Sequence, residues 1–464
     1  MIWRCADLEM WHYAKPTLTS LSQAKVPSPL NPMANPPILI YVSRPGPRHS
    51  YVFRELLGGL LGLRFDITHD EKEYKSAASP RLNYSSKELP GLQVIPFSEA
   101  NLPSWDVRPE ELFQGNDLFA KSFYLLSRAE EYGDFEPDAN GRFQAEHSIL
   151  FRLGLHRKPM VNSWANELRA ELVKRYPNLQ FAERKFSALA TIDIDSAWCF
   201  GQKGLARQLG GLVGDIVKFR ARRVLKRLAV WAGAKDPFGI YDELCEMHES
   251  HHIPLHFFWL LANRGKHDKN ISWKNERQQT LIRHLAEKHG MGIHPSYNSP
   301  TDPQLMAEEI ARLNDILKPI DRKKTETSRQ HYLRLAWPNT YRQLIRLDIR
   351  EDHSLGWASQ VGFRAGIGTP FTWYDLQAEQ ETNLTLVPFA CMDVTLKTYM
   401  RLNTEEALQI CKNLIDETAA VGGQFVSLWH NESLSGFGQW KDWPQMYEEM
   451  LDYVESKTSG LTLP

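Results

Sequence analysis

Cysteine is scarce in this chain and follows no pairing pattern. Five stand in 464 residues (Cys5, Cys199, Cys245, Cys391, Cys411), with no CxxC among them. That argues against a disulfide framework and fits buried free thiols in a reducing compartment better. Charge of one sign is lacking too. Lys+Arg 55 stand against Asp+Glu 56, a formal net charge of -1, so no global field draws in nucleic acid. No apolar run reaches the length of a membrane span. The first residues carry no apolar core of the secretory kind, and a cytoplasmic setting is the expectation. No internal repeat is visible.

What the chain does have is a globular composition rich in rings: 42% apolar residues, with 14 Trp, 21 Phe and 16 Tyr. Residues 1–35 are polar, proline-bearing and aperiodic, which reads as a disordered leader. Strand-like runs at 37–42, 63–67 and 92–95 and a helix at 51–61 make a small N-terminal α/β domain over 36–105. Helical spacing at 118–132 and 162–176 marks a helical connecting region over 106–184, to which no chemistry is assigned. From 185 to 464 strand-like and helix-like segments alternate, which favours βα units. The expected strands are 186–195, 254–261, 291–294, 331–336, 362–365, 385–387 and 424–430. The clearest helices are 277–289, 303–317, 405–421 and 445–456, with Asp302 and Thr404 as caps.

Residues 186–195 carry the strongest chemical signal. Phe186, Ala188, Ala190, Ile192 and Ile194 fall on one face, and Thr191, Asp193 and Asp195 on the other. Two carboxylates leaving a strand end together repel unless a cation or a shared proton lies between them. The plainer reading is that such acids cap a helix or meet an arginine. Other strand ends add His294 in His-Pro-Ser-Tyr, Arg334, Arg364 in Gly-Phe-Arg-Ala-Gly, and His430 in Leu-Trp-His. In sheets of alternating strands and helices, the C-terminal strand ends open on one face, where chemistry sits.

In order and content these motifs resemble the polysaccharide deacetylases of the NodB-homology family, over about residues 185–445. The resemblance implies a distorted, incomplete (β/α) barrel behind a smaller α/β domain. It implies a hydrolase that removes acetyl groups from an N-acetylated carbohydrate with one divalent metal ion, zinc being expected. Asp193 would be the general base and His430 the general acid. Arg334 would hold Asp193, and Asp352 would orient His430. Asp195 and His294 would be metal ligands. Trp337, Arg364, Leu428 and Tyr297 would line the substrate. The family pattern places a second histidine four residues after the first, where this chain has Asn298. Asn298 then completes the ligand set, or His294 is itself the second of the pair and the first falls on Gly290. A non-catalytic carbohydrate-binding protein that has lost its metal is the competing expectation.

Residues 203–235 are basic and amphipathic, with nine Lys and Arg among leucines and valines. Such a segment lies on an anionic membrane, here the inner membrane surface, or packs on its own domain and leaves a solvated basic face. The second use is the commoner.

Overall fold

The computed structural model describes residues 36–458; the leader expected over 1–35 lies outside them. Among the described residues the strands form two sheets. The first has the order β2-β1-β3-β4, from β1 (Ile38–Val42), β2 (Phe65–Thr68), β3 (Arg81–Tyr84) and β4 (Leu92–Val94), all parallel. β1 is apolar along its whole length and buried on both faces, as a central parallel strand must be. Helices Leu118–Leu126 and Met160–Arg175 follow.

The second sheet contains β5 (Ser187–Ile194), β6 (Leu255–Trp259), β7 (Gly290–Ile293), β8 (Thr327–Ser328), β9 (Glu351–Asp352), β10 (Phe371–Asp375), β11 (Gln380–Leu386), β12 (Cys391–Met392) and β13 (Gln424–His430). Their order is β10-β11-β9-β8-β7-β6-β5-β13-β12, and only β10 runs antiparallel to its neighbour. The sheet is open, with β10 and β12 at its edges, and does not close into a barrel. Four residues link β11 to β12, so the two flanks stand within a span of about 18 Å. In that link the Val387 N–H donates to the Asp352 carbonyl, Phe389 to Leu355 and Ala390 to Val426.

Alternation in β5 sorts its residues as the sequence implies. Ala188, Ala190, Ile192 and Ile194 join the large core under the helices. Leu189 faces the other way, into a small cluster with Leu428, Phe389 and Met392. Helix Pro303–Leu317 is capped by Asp302. Helix Thr404–Ala420 is capped by Asn403, through a capping box with Glu406, and Thr404 is its first residue.

Two expected strands are absent. Residues 331–336 hold a 3₁₀ turn, His331–Leu333, with Tyr332 and Leu333 at positive φ. Residues 362–365 form a turn, with Gly362 at φ 120 against the His156 carbonyl, where a Cβ would sit 2.2 Å from the oxygen. Arg364, in that turn, makes a two-pronged pair with Glu131 at 2.9 and 2.7 Å. Glu131 also takes the buried Arg128, whose other nitrogen donates to the Arg364 carbonyl at 2.7 Å. Arg364 therefore ties the helical region to the larger sheet. Glu131→Gln leaves the buried Arg364 without a carboxylate and Arg128 with Glu130 alone, and unfolding free energy should fall by about 3–5 kcal/mol, measured by urea denaturation.

Candidate metal centre and acid–base pair

β5 ends at Ile194, so Asp193 and Asp195 flank the point where the strand gives way to loop. His294 follows β7 directly, and His331 sits in the 3₁₀ turn after β8. These strands are neighbours in the order β5-β6-β7-β8, which brings the four side chains to one end of the sheet. One ligand atom each from Asp195, His294 and His331 lies within 4.8 Å of the others.

Both imidazoles are oriented from behind. His294 Nδ1 lies 2.6 Å from the Arg329 carbonyl, which can only accept, so Nδ1 carries the proton. His331 Nδ1 lies 2.9 Å from Asp268 Oδ1, and that carboxylate is steadied by the Tyr297 N–H at 3.1 Å. The Nε2 atoms then face Asp195 Oδ1 at 3.4 and 3.6 Å. Asp195 is half-buried, yet its Oδ1 is enclosed and has no hydrogen-bond partner. Lone pairs of two imidazoles aimed at an enclosed carboxylate oxygen need a proton or a cation between them. Ligand atoms ~2.1 Å from a tetrahedral ion stand about 3.4 Å apart, close to the two spacings seen. Histidines backed by a carboxylate or a carbonyl are the usual metal-binding form. The donor set fits a divalent ion.

The field at the site favours positive charge, a proton on His331 or a cation in its place. Burial would raise the Asp195 carboxyl, but His331, His294 and His430 outweigh it and hold it well below the usual range. Burial would lower His331, but Asp195 and Asp268 outweigh it and push it up to about 9.

Asp193 is buried, and Arg329 donates to its Oδ1 at 2.9 Å. The same guanidinium nitrogen donates to the Thr191 hydroxyl at 2.7 Å, Nε donates to the His353 carbonyl at 2.9 Å, and the group lies 4.5 Å over the Phe258 ring. Asp193 Oδ2 is left facing His294 Nε2 at 3.7 Å. His430 stands in register with Asp193 on the adjoining β13, one strand spacing away. Its Nδ1 is 2.9 Å from Asp393 Oδ1, and Asp393 also takes the His430 N–H and the Ser433 hydroxyl. Burial would lower His430, but Asp393 outweighs it, helped by Asp195 and Asp193, and pushes it up to about 10.

One protein family matches the chain, a family of unknown function (DUF7033), over residues 38–177. That stretch takes in the first sheet and the helices after it and stops short of β5. No curated protein matches. Among solved structures, the chain is similar to a putative polysaccharide deacetylase from Mycobacterium smegmatis at 14% identity and TM-score 0.40, covering 59% of this chain and 85% of that one. A putative polysaccharide deacetylase involved in O-antigen biosynthesis from Bordetella bronchiseptica gives 12% and 0.28, over 58% and 83%. A 4-alpha-glucanotransferase from Thermococcus litoralis gives 12% and 0.35, over 60% and 38%. TM-scores this low carry no argument, and the chemistry rests on the side chains.

Of the residues expected from sequence, the structure brings together Asp193, Asp195, His294 and His430. Leu428 lies one alternate position before His430, in the small inner cluster. Tyr297 is at the rim, stacked on His267 with centroids 3.9 Å apart. The rest lie elsewhere. Asn298 is exposed and leads into a short 3₁₀ turn, and the second imidazole is supplied by His331. Arg334 donates to the Tyr297 carbonyl at 2.8 Å, and Arg329, five residues earlier, holds Asp193. Asp352 is buried on β9 against Ser328 and Ser354, at 2.7 and 2.9 Å, and Asp393 orients His430. Trp337 packs among Tyr132, Tyr341 and Trp373. Arg364 is bound up with Glu131.

The helical region also reaches the rim. Asn140 meets the Tyr297 hydroxyl at 3.3 Å. Arg142 donates to the Tyr332 carbonyl and to the Tyr399 hydroxyl, both at 3.0 Å. Tyr332 and Tyr399 are exposed.

Proposed function

We propose that this chain is a metal-dependent hydrolase that removes an acyl group, acetyl in the first instance, from the nitrogen of an N-acetylated sugar or polysaccharide. The observation that carries it is the convergence of two back-supported imidazoles on the enclosed, unpartnered Oδ1 of Asp195, beside an Asp393-held His430. Asp195, His294 and His331 hold one divalent ion, zinc by donor type. Such an ion supplies Lewis acidity to the amide carbonyl and to water.

The chain's own residues do the rest. Arg329 and Thr191 fix Asp193 so that Oδ2, next to the triad, takes the proton of the attacking water. His430, with Nδ1 committed to Asp393, delivers a proton from Nε2 to the departing nitrogen. Base and acid come from adjoining strands, Asp193 on β5 and His430 on β13. Leu428, on the same face of β13 as His430, is assigned the apolar wall for the acyl methyl group. Tyr332 and Tyr399 offer flat faces at the rim, suited to a pyranose ring. The sugar and the amide in this reading follow from the motif resemblance, and the metal and the acid–base pair from the geometry. The rival reading, a carbohydrate-binding protein without its metal, stood on a missing histidine that His331 supplies.

The direct test joins two measurements. Purified protein should retain about one divalent ion per chain and should release acetate from N-acetylglucosamine oligomers. Protein that takes up no ion from zinc solution, or takes it up and frees no acid from any N-acylated sugar, ends this reading.

A further inference from the structure

Ten residues beyond Asp195 the chain leaves the sheet as two helices, Leu205–Val217 and Ala221–Trp231, joined by a turn with Phe219 at φ 54. The base is pinned. Asp236 accepts the N–H groups of Cys199, Phe200 and Gly201 at 2.7, 2.8 and 2.8 Å. Arg207 donates to the Asn270 carbonyl at 2.8 Å, in the loop that also carries Asp268. The inner seam is satisfied as well. Asp215 is buried between Arg223 at 3.1 Å and Arg227 at 2.6 Å, and Arg227 lies 4.6 Å over Phe200.

The outer face is not satisfied. Leu205, Leu209, Val213, Ile216 and Val217 follow helical spacing along one face of the first helix and are exposed. Leu225, Leu228 and Trp231 do the same on the second, and Phe219 at the turn is 94% exposed. A helix packed on its own domain would have these stripes covered. The charges are equally one-sided. Asp215 is the sole acid from 205 to 235 and is already taken by two arginines. Lys218, Arg220 and Arg222, exposed around Phe219, have no carboxylate partner among the described residues.

We propose that this hairpin docks the protein on an anionic lipid surface, with Phe219 and the two apolar stripes in the headgroup boundary and Lys218, Arg220 and Arg222 against the lipid phosphates. A second copy is the poorer occupant, because face-to-face pairing brings the same cations together with no acid to answer them. No helix among the described residues is long and apolar enough to cross a membrane, so the contact is peripheral. Since the hairpin springs from the strand end that bears Asp193 and Asp195, docking brings that end of the sheet toward the lipid.

Flotation of the full-length protein with vesicles tests this. Phosphatidylcholine vesicles containing phosphatidylglycerol should carry the protein, pure phosphatidylcholine should not, and rising salt should release it. The triple variant Lys218→Gln, Arg220→Gln, Arg222→Gln should bind roughly a hundredfold more weakly, at about fivefold per cation. Phe219→Asp should weaken binding with the cations intact. Thermal melting like that of the wild type shows that each variant is folded. Failure to float with phosphatidylglycerol overturns the proposal, as does undiminished binding by the folded triple variant. A solution dimer that Phe219→Asp dissolves assigns the face to a second copy and overturns it too.

Discussion

His331→Ala is expected to strip the centre of its metal and, with it, acyl release, while Asn298→Ala leaves both unchanged. Removing His331 leaves Asp195 and His294 as the protein donors, and two donors hold zinc far less well than three. Loss of a group that merely backs a ligand, as in Asp268→Ala, should weaken metal affinity about 10–100-fold. Loss of the ligand itself should exceed that. The chemical step then loses Lewis-acid stabilisation of several kcal/mol, roughly 10³-fold or more in kcat/KM. Metal content after dialysis and acetate release give the two readouts. The contrast between positions 298 and 331 separates the ligand set seen in the structure from the one expected by motif spacing. Retention of a full metal equivalent by folded His331→Ala protein would show that the triad is not the binding site.

What the sequence made legible follows from strand length. β5 and β13 run eight and seven residues, long enough for alternation to show which side chains share a face. Asp193, Asp195 and His430 were visible for that reason, and His294 because it follows the apolar turn of strand in Met291-Gly292-Ile293. His331, Arg329 and Asp393 hang from β8 and β12, which are two residues each and have no periodicity to read. Motif phase then slipped: residues 331–336 passed for a strand, and Arg334 took the part that belongs to Arg329. Tyr332 and Leu333 at positive φ make that turn, a conformation no side-chain pattern announces. A signal for Asp393 was present, since Val387 to Met392 is an unbroken apolar run that ends in an acid. The open edges of the larger sheet depend on long-range pairing, which local pattern does not encode.

Asp393→Asn is the sharper test of the acid. In the proposed reaction His430 must carry its proton when the amine departs, so activity holds at pH values below its pKa and fails as pH rises through it. Asp393 pushes that pKa up, to about 10 with no cation on Asp195, and although a divalent ion there offsets part of the rise, the wild-type protein should keep its rate above neutrality. Asparagine can still meet Nδ1 but brings no charge, and burial then pulls the imidazole down toward or below its ordinary ~6.5. The alkaline limb of the kcat profile should therefore move down by several pH units. At pH 8 the loss should approach the 10²–10⁴-fold that a positioned general acid contributes, and at pH 6 it should be markedly smaller. A role confined to folding predicts a different pattern, an equal loss at every pH together with a lowered melting temperature. His430→Ala should lose the rate throughout while retaining the metal, because its ring is not among the three donors. An Asp393→Asn profile that keeps its alkaline limb in place would remove His430 as the proton donor and leave Asp193 to serve both halves of the reaction.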